Sequence, residues 1–220
     1  MSAPALESIE IETAPAPQAS IIWMHGLGAD GSDFAPLAGE IELPVPVRYI
    51  FPHAPMMPVS INGGYVMRAW YDISDAAIRR EDEQGVRASQ QSVEALLARE
   101  KSRGSAAQRI VLAGFSQGGA IALQTGLRHA ERLAGIMALS TYVPLADTLA
   151  AEAHAANRTL PIFMAHGSAD PMIPCARARA SRDLLLQQAY AVEWHEYPMQ
   201  HAVCAQEIAD IGAWLRRVLT

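Results

Sequence analysis

The sequence predicts an α/β fold, with a mostly parallel central sheet and helices on both faces. Three observations carry that expectation. Apolar runs of strand length alternate with helical stretches through most of the 220 residues. Half of the residues are hydrophobic and 18% are charged, enough apolar material for one large core. Third, Gly114-Phe115-Ser116-Gln117-Gly118 lies between the apolar run Arg109-Ile110-Val111-Leu112-Ala113 and the helix-like Gly119-Ala120-Ile121-Ala122-Leu123-Gln124. A serine on so sharp a strand-to-helix turn has its hydroxyl pushed out at the end of the sheet, and side chains at 114 and 118 would collide across the turn.

The elements follow in order. Glu7 to Glu12 alternates, with Ile9 and Ile11 on one side, as an edge strand does. Thr13 to Gln18, rich in Ala and Pro, links it to the buried strand Ser20-Ile21-Ile22-Trp23-Met24. The loop His25-Gly26-Leu27-Gly28-Ala29-Asp30-Gly31 follows, and Ser32 or Asp33 is expected to cap a short helix through Ile41. Val45 to Phe51 is a strand. Residues 52–80 break periodicity with Pro52, Pro55, Pro58, Gly63 and Gly64, and a loop of that length is functional or holds small elements of its own. Glu81 to Arg103 is a helix, with Val86, Val93, Leu96 and Leu97 near one face and Gly104 as its stop. After the serine turn come a strand from Leu133 to Ser140, an Ala-rich helix from Leu145 to Asn157, and a strand from Leu160 to Ala165. A helix from Cys175 to Tyr190, a strand from Val192 to Tyr197 and a helix from Val203 to Leu219 complete one domain over residues 1–220.

Composition removes several classes of function. The net charge is −6, and Arg177, Arg179 and Arg182, the densest basic group, have the spacing of a solvated helix face, so nucleic acid is not an expected partner. Cys175 and Cys204 fall in different helices, and no pair of Cys or His has zinc-ligand spacing, so two free thiols and no metal are expected. The N-terminus lacks a basic and an apolar signal region, and no run of about 18 apolar residues occurs, so the expected location is cytoplasmic, with no integral membrane segment.

In open parallel sheets chemistry collects beyond the carboxyl ends of the strands, here in loops 25–31, 114–118, 166–171 and 198–201. A serine nucleophile needs a base and a carboxylate that orients it, in the chain order Ser, acid, His. Asp170 lies at a strand end in His166-Gly167-Ser168-Ala169-Asp170-Pro171; Asp147 is a weaker rival inside a helix pattern, and Asp183 and Asp210 fall on helices. His201, in Pro198-Met199-Gln200-His201, follows the last strand, whereas His195 lies within that strand and points to a sheet face. The negative charge of a tetrahedral intermediate calls for two backbone N–H groups. Gln117, just after the serine, supplies one, and Leu27 is the choice for the other; His25 is expected to brace its loop.

With these residues in view, the chain resembles the phospholipase/carboxylesterase family of α/β-hydrolases. The resemblance runs from about residue 20 to the end, on His25-Gly26-Leu27-Gly28-Ala29-Asp30-Gly31, Ala69-Trp70-Tyr71-Asp72, Gly114-Phe115-Ser116-Gln117-Gly118-Gly119 and His166-Gly167-Ser168-Ala169-Asp170-Pro171. It implies an α/β-hydrolase fold with no large cap domain, Ser116, Asp170 and His201 as the catalytic triad, Leu27 and Gln117 as the oxyanion hole, and an acyl-binding groove shaped by about residues 52–80. Leu27 and, in that region, Met56, Ile61 and Trp70 are the expected substrate contacts, with Trp70 either lining the pocket or anchoring the loop. The apolar content of that region (Met56, Met57, Val59, Ile61, Tyr65, Val66 and Met67 among it) suits an acyl chain, a second subunit of a homodimer, or the domain's own core. Asp72 is expected to be structural.

The expected activity is that of a serine carboxylesterase acting without cofactor on small apolar esters of short to medium acyl chain through an acyl-enzyme. Acyl-protein thioesterase or lysophospholipase activity is the alternative. A hydrolase-fold protein that only binds its ligand would not need a triad and an oxyanion loop together, and a dienelactone hydrolase would carry cysteine in place of Ser116.

Overall fold

The computed structural model describes residues 6–74 and 82–220. The extreme N-terminus, the last residues of the 52–80 region and the expected helix start at Glu81 lie outside the described residues.

Among the described residues seven strands form the main sheet: β1 (Ser8–Glu12), β2 (Ala19–Met24), β3 (Val47–Pro52), β6 (Ile110–Phe115), β7 (Gly135–Leu139), β8 (Pro161–Gly167) and β9 (Ala191–Tyr197). Their order is β1-β3-β2-β6-β7-β8-β9. Every pairing is parallel except that of β1 with β3, so β1 is an antiparallel edge strand. β3 lies on one side of β2 and β6 on the other, so the strand order reverses between β2 and β6. Loops leaving the carboxyl ends of those two strands diverge there and leave a crevice. The 25–31 loop and Ser116 are therefore side by side because of topology.

Alternation along the strands divides the core. Ile22, Met24, Leu112, Ile136, Ala138, Ile162 and Met164 face α2 (Glu83–Ser102) and α3 (Gln117–Arg128). Ile21, Trp23, Val111, Ala113, Met137 and Phe163 face α1 (Leu37–Glu40) and α6 (Ala205–Val218), through Leu37, Ile211, Trp214 and Leu215. Both faces of the sheet are covered, which is why its central strands read as continuous apolar runs. Asp82 caps α2 by accepting the Gly85 N–H, and Gly104, at φ 96°, follows its last turn.

Two expected helices are shorter than their composition suggested. The one expected after Ser32 is the single turn α1, because Asp30 Oδ1 accepts both the N–H and the hydroxyl of Ser32 and closes a local turn instead. The Ala-rich stretch 145–157 contains only α4 (Leu149–Glu152) and a 3₁₀ turn over Ala155–Asn157. Leu145 has φ 45°, and the buried Asn157 side chain bonds Leu133 N–H and the carbonyls of His129 and Glu131, so tertiary contacts override alanine's helix propensity. α5 spans Cys175–Gln187. The 52–80 region contains a separate hairpin, β4 (Met56–Val59) paired antiparallel with β5 (Tyr65–Arg68), whose turn is closed by Gly63 and Gly64 in the left-handed region.

Candidate active site

The turn at Ser116 is backbone-strained and tightly held. Ser116 has φ 53° and ψ −120°, a conformation that costs a non-glycine residue on the order of 1–3 kcal/mol. The Ser116 N–H donates to Leu139 O at 2.9 Å, and Ser116 O accepts from Ala120 N–H at 3.1 Å and Thr141 Oγ1 at 2.7 Å. A Cβ at position 114 would lie 2.2 Å from the Gly118 carbonyl carbon, and one at 118 would lie 2.2 Å from Met24 O. The flanking glycines are thus imposed by contact between β6, α3 and β2, and the serine side chain, half-exposed, lines a cavity of about 620 Å³.

Asp170 is almost fully buried in the loop after β8. Its Oδ1 accepts the N–H groups of Met172 (2.8 Å) and Ile173 (2.9 Å), and its Oδ2 lies 2.7 Å from His201 Nδ1. Burial alone would raise its pKa, but the His201 hydrogen bond and the two backbone donors outweigh it and hold the carboxyl below the usual carboxylate range. An ionised acceptor requires the proton on Nδ1, which leaves Nε2 of His201 with its lone pair. His201 lines the same cavity as Ser116 and packs its ring 4.7 Å from that of Phe115. The rival residues are elsewhere. Asp147 and Asp183 are exposed, Asp210 accepts the Tyr197 hydroxyl, and His195 stacks on Phe163 within the sheet while its Nε2 lies 3.0 Å from Glu193.

Leu27 and Gln117 line the cavity from opposite sides of the switch point. Among the described residues neither of their N–H groups bonds a backbone carbonyl. His25 braces the Leu27 loop: its Nδ1–H donates to Gly26 O at 2.7 Å and its Nε2 accepts from Ala54 N–H at 3.0 Å. That pairing uses the neutral ring, and burial lowers the His25 pKa to about 4. Asp72 accepts from Ser60 N–H and Ser60 Oγ, a structural pairing across the hairpin base.

The four expected substrate contacts divide two and two. Leu27 and Ile61 line the cavity. Met56 does not; it is exposed on strand β4 of the hairpin. Trp70 does not either, because it is buried beneath the site, with its indole N–H donating to His25 O at 2.8 Å. It anchors rather than lines. The walls instead use Tyr71, Ile73, Tyr142, Met172 and Ile173, with Arg177 over the Tyr142 ring. Tyr142 had a readable signal, since it follows the carboxyl end of a parallel strand, where ligands collect. Both cysteines are free thiols, and among the described residues no group of three His, Cys, Asp or Glu side chains could hold a metal ion. Among those residues, too, no helix is long and apolar enough to cross a membrane.

This arrangement matches known proteins along nearly its whole length. A family model described as phospholipase/carboxylesterase matches residues 6–219. Acyl-protein thioesterase 1 of Gibberella zeae is 38% identical over 213 residues, covering 91% of this chain and 91% of that protein. The crystal structure of Zea mays acyl-protein thioesterase 2 superposes with a TM-score of 0.83 at 28% identity, covering 97% of this chain and all of that one. Arabidopsis thaliana SOBER1 gives a TM-score of 0.86 at 28% identity, over 92% and 99% of the two chains.

Proposed function

The chain belongs to the phospholipase/carboxylesterase family of α/β-hydrolases and is a serine hydrolase, an esterase or thioesterase; we propose that it hydrolyses S-acyl thioesters ahead of simple carboxylic esters, through an acyl-enzyme on Ser116. The observation that carries the mechanism is the buried Asp170–His201 hydrogen bond of 2.7 Å, whose imidazole shares a cavity with Ser116. The preference for thioesters draws on the relatives named acyl-protein thioesterase, which favour it over the carboxylesterase expected from the sequence.

Ser116 Oγ attacks the acyl carbonyl as His201 Nε2 takes its proton. Asp170 holds the imidazole in the tautomer that can do so and stabilises the imidazolium. The N–H groups of Leu27 and Gln117 receive the negative charge on the oxygen, with Gln117 helped by the N-terminus of α3. Collapse expels the thiol or alcohol, protonated by His201, and a water activated by the same ring releases the acid. The acyl chain lies against Ile61, Tyr71, Ile73 and Met172, so the 52–80 region of a single domain forms one wall of its groove. No metal or organic cofactor enters any step. The reading includes a cytoplasmic location, which fractionation of cells carrying a C-terminally tagged chain tests.

The deciding experiment sets an S-acyl cysteine peptide beside the matching O-acyl serine peptide, at several chain lengths. A higher kcat/KM for the thioester at every length is expected beyond its greater uncatalysed lability. Equal enhancement over the uncatalysed rates, or a larger one for esters, returns the assignment to carboxylesterase.

A further inference from the structure

Two N–H groups that must aim at one oxygen come from the separate loops of β2 and β6. The short segment Arg68–Tyr71 is hydrogen-bonded to both. On one side Arg68 O accepts the Gly28 N–H at 2.9 Å, and Trp70 Nε1–H donates to His25 O at 2.8 Å, bracketing Leu27. On the other, Trp70 N–H donates to Gln117 Oε1 at 3.0 Å, and Gln117 Nε2–H donates to Tyr71 O at 2.8 Å. The Gln117 carboxamide thereby uses its acceptor and its donor on neighbouring peptide groups. Trp70 and Gln117 are each 2% exposed and His25 is 1% exposed, so water cannot replace a lost partner. The segment is held from behind by Ala69 N–H to Pro55 O at 3.0 Å and by the Ser89 hydroxyl on Trp70 O.

We propose that Gln117 and Trp70 are positioning residues: with the Arg68–Tyr71 backbone they form a strap that sets the spacing of the Leu27 and Gln117 amides. The inference rests on the reading in which those amides bind the oxyanion. It gives the Gln117 side chain a task separate from that of its own N–H, and it gives the buried Trp70 a catalytic consequence without substrate contact.

Gln117→Glu supplies a test that packing alone would not pass. A protonated carboxyl there still accepts from Trp70 N–H and donates to Tyr71 O. Ionised, its second oxygen faces a carbonyl and the bond becomes a repulsion, and burial raises the pKa at which this happens. The charged groups on the cavity, Asp33, Asp72, Asp82, Arg177 and His201, are present in the parent enzyme too, so their own ionisations divide out of a ratio taken at each pH and leave the new carboxyl and its coupling to them as the source of any pH dependence. The ratio of kcat between Gln117→Glu and the parent enzyme is expected to fall steadily from pH 5.5 to 8.5, with KM within about threefold. Trp70→Phe, which removes the indole donor together with part of the buried ring, is expected to lose about tenfold or more in kcat, against the roughly hundredfold or larger loss when one oxyanion donor is removed outright. Its affinity for an acyl trifluoromethyl ketone, which forms a tetrahedral oxyanion on the serine, should fall in step, while binding of the unreactive thioether analogue holds. A pH-independent ratio together with parent-like kcat in a folded Trp70→Phe enzyme would overturn the strap. If Trp70→Phe fails to fold, the Gln117→Glu profile decides alone. Failure of the underlying reading looks different: the parent enzyme would then resist the trifluoromethyl ketone, or Ser116→Ala would remain active.

Discussion

Replacing Asp170 by Asn changes one atom and tests the proposed acid most sharply. In the structure Oδ1 takes two backbone N–H groups and Oδ2 faces His201 Nδ1, with His166 Nε2 a further 3.3 Å away. An asparagine has no orientation that serves all of these. If its oxygen keeps Met172 and Ile173, its NH₂ faces His201 and demands a lone pair on Nδ1. The ring proton then moves to Nε2, and the base can no longer accept from Ser116. If the amide turns over, NH₂ meets two backbone N–H donors. Such a tautomer error costs on the order of 10⁴ in turnover, about 5 kcal/mol of transition-state stabilisation. The assay is kcat for a soluble octanoyl thioester, with thermal melting as the fold control and exposed Asp147→Asn as the comparison. Retention of a tenth or more of parent activity by a folded Asp170→Asn enzyme, or a large loss in Asp147→Asn, would refute the assignment. The depressed pKa adds a stability signature. The pairing's contribution is present above the unfolded value near 3.8 and is lost as pH falls through the lower folded value, so the parent's stability advantage over Asp170→Asn should shrink in that acid range.

Ser116→Ala is expected to lose about a millionfold in turnover while melting near the parent temperature, and to take up no fluorophosphonate label in intact-mass spectra. His201→Ala should be inactive and His195→Ala close to normal, because His195 is tied to Glu193 within the sheet; steady-state kinetics on both variants checks this. Ile61→Ala and Met172→Ala, at partly exposed positions on the cavity wall, should lower kcat/KM for long acyl chains more than for acetyl, by less than the roughly 1–3 kcal/mol of a fully buried side chain, whereas Met56→Ala, off the cavity, should leave the chain-length profile unchanged. Burial pushes the Glu207 carboxyl up to about 8, so the folded state holds its proton across a window in which the unfolded chain has released it. Stability should therefore fall as pH rises from about 4.5 to 8, and Glu207→Gln should raise the Tm more at pH 8 than at pH 5.

Features that depend on local pattern and chain order are legible in the amino-acid sequence. Apolar runs of strand length fixed a parallel sheet, because strands buried on both faces have no polar side to show. Gly114 and Gly118 marked the turn at Ser116, because no larger residue fits between β6, α3 and β2. The rule that chemistry collects at strand ends points to Asp170 and His201 over their rivals, and the fold brings the two within 2.7 Å beside the cavity that Ser116 lines. Which residues of an irregular segment turn inward depends instead on contacts made in the folded chain. Met56 and Ile61 lie in the same apolar stretch and both keep solvent exposure, yet only Ile61 borders the cavity, because it sits in the 3₁₀ turn Ser60–Asn62 rather than on the paired strand β4, a difference hydrophobicity does not encode. Trp70 reads equally well as lining or anchor until its indole N–H is seen on His25 O. The alanine-rich stretch after Leu145 reads as one helix and folds otherwise for the same reason: helix propensity is worth tenths of a kcal/mol per residue, and the buried Asn157 network outweighs it. The cavity's tyrosines, contributed by loops far apart in the chain, have no shared sequence pattern, and only folding makes them neighbours.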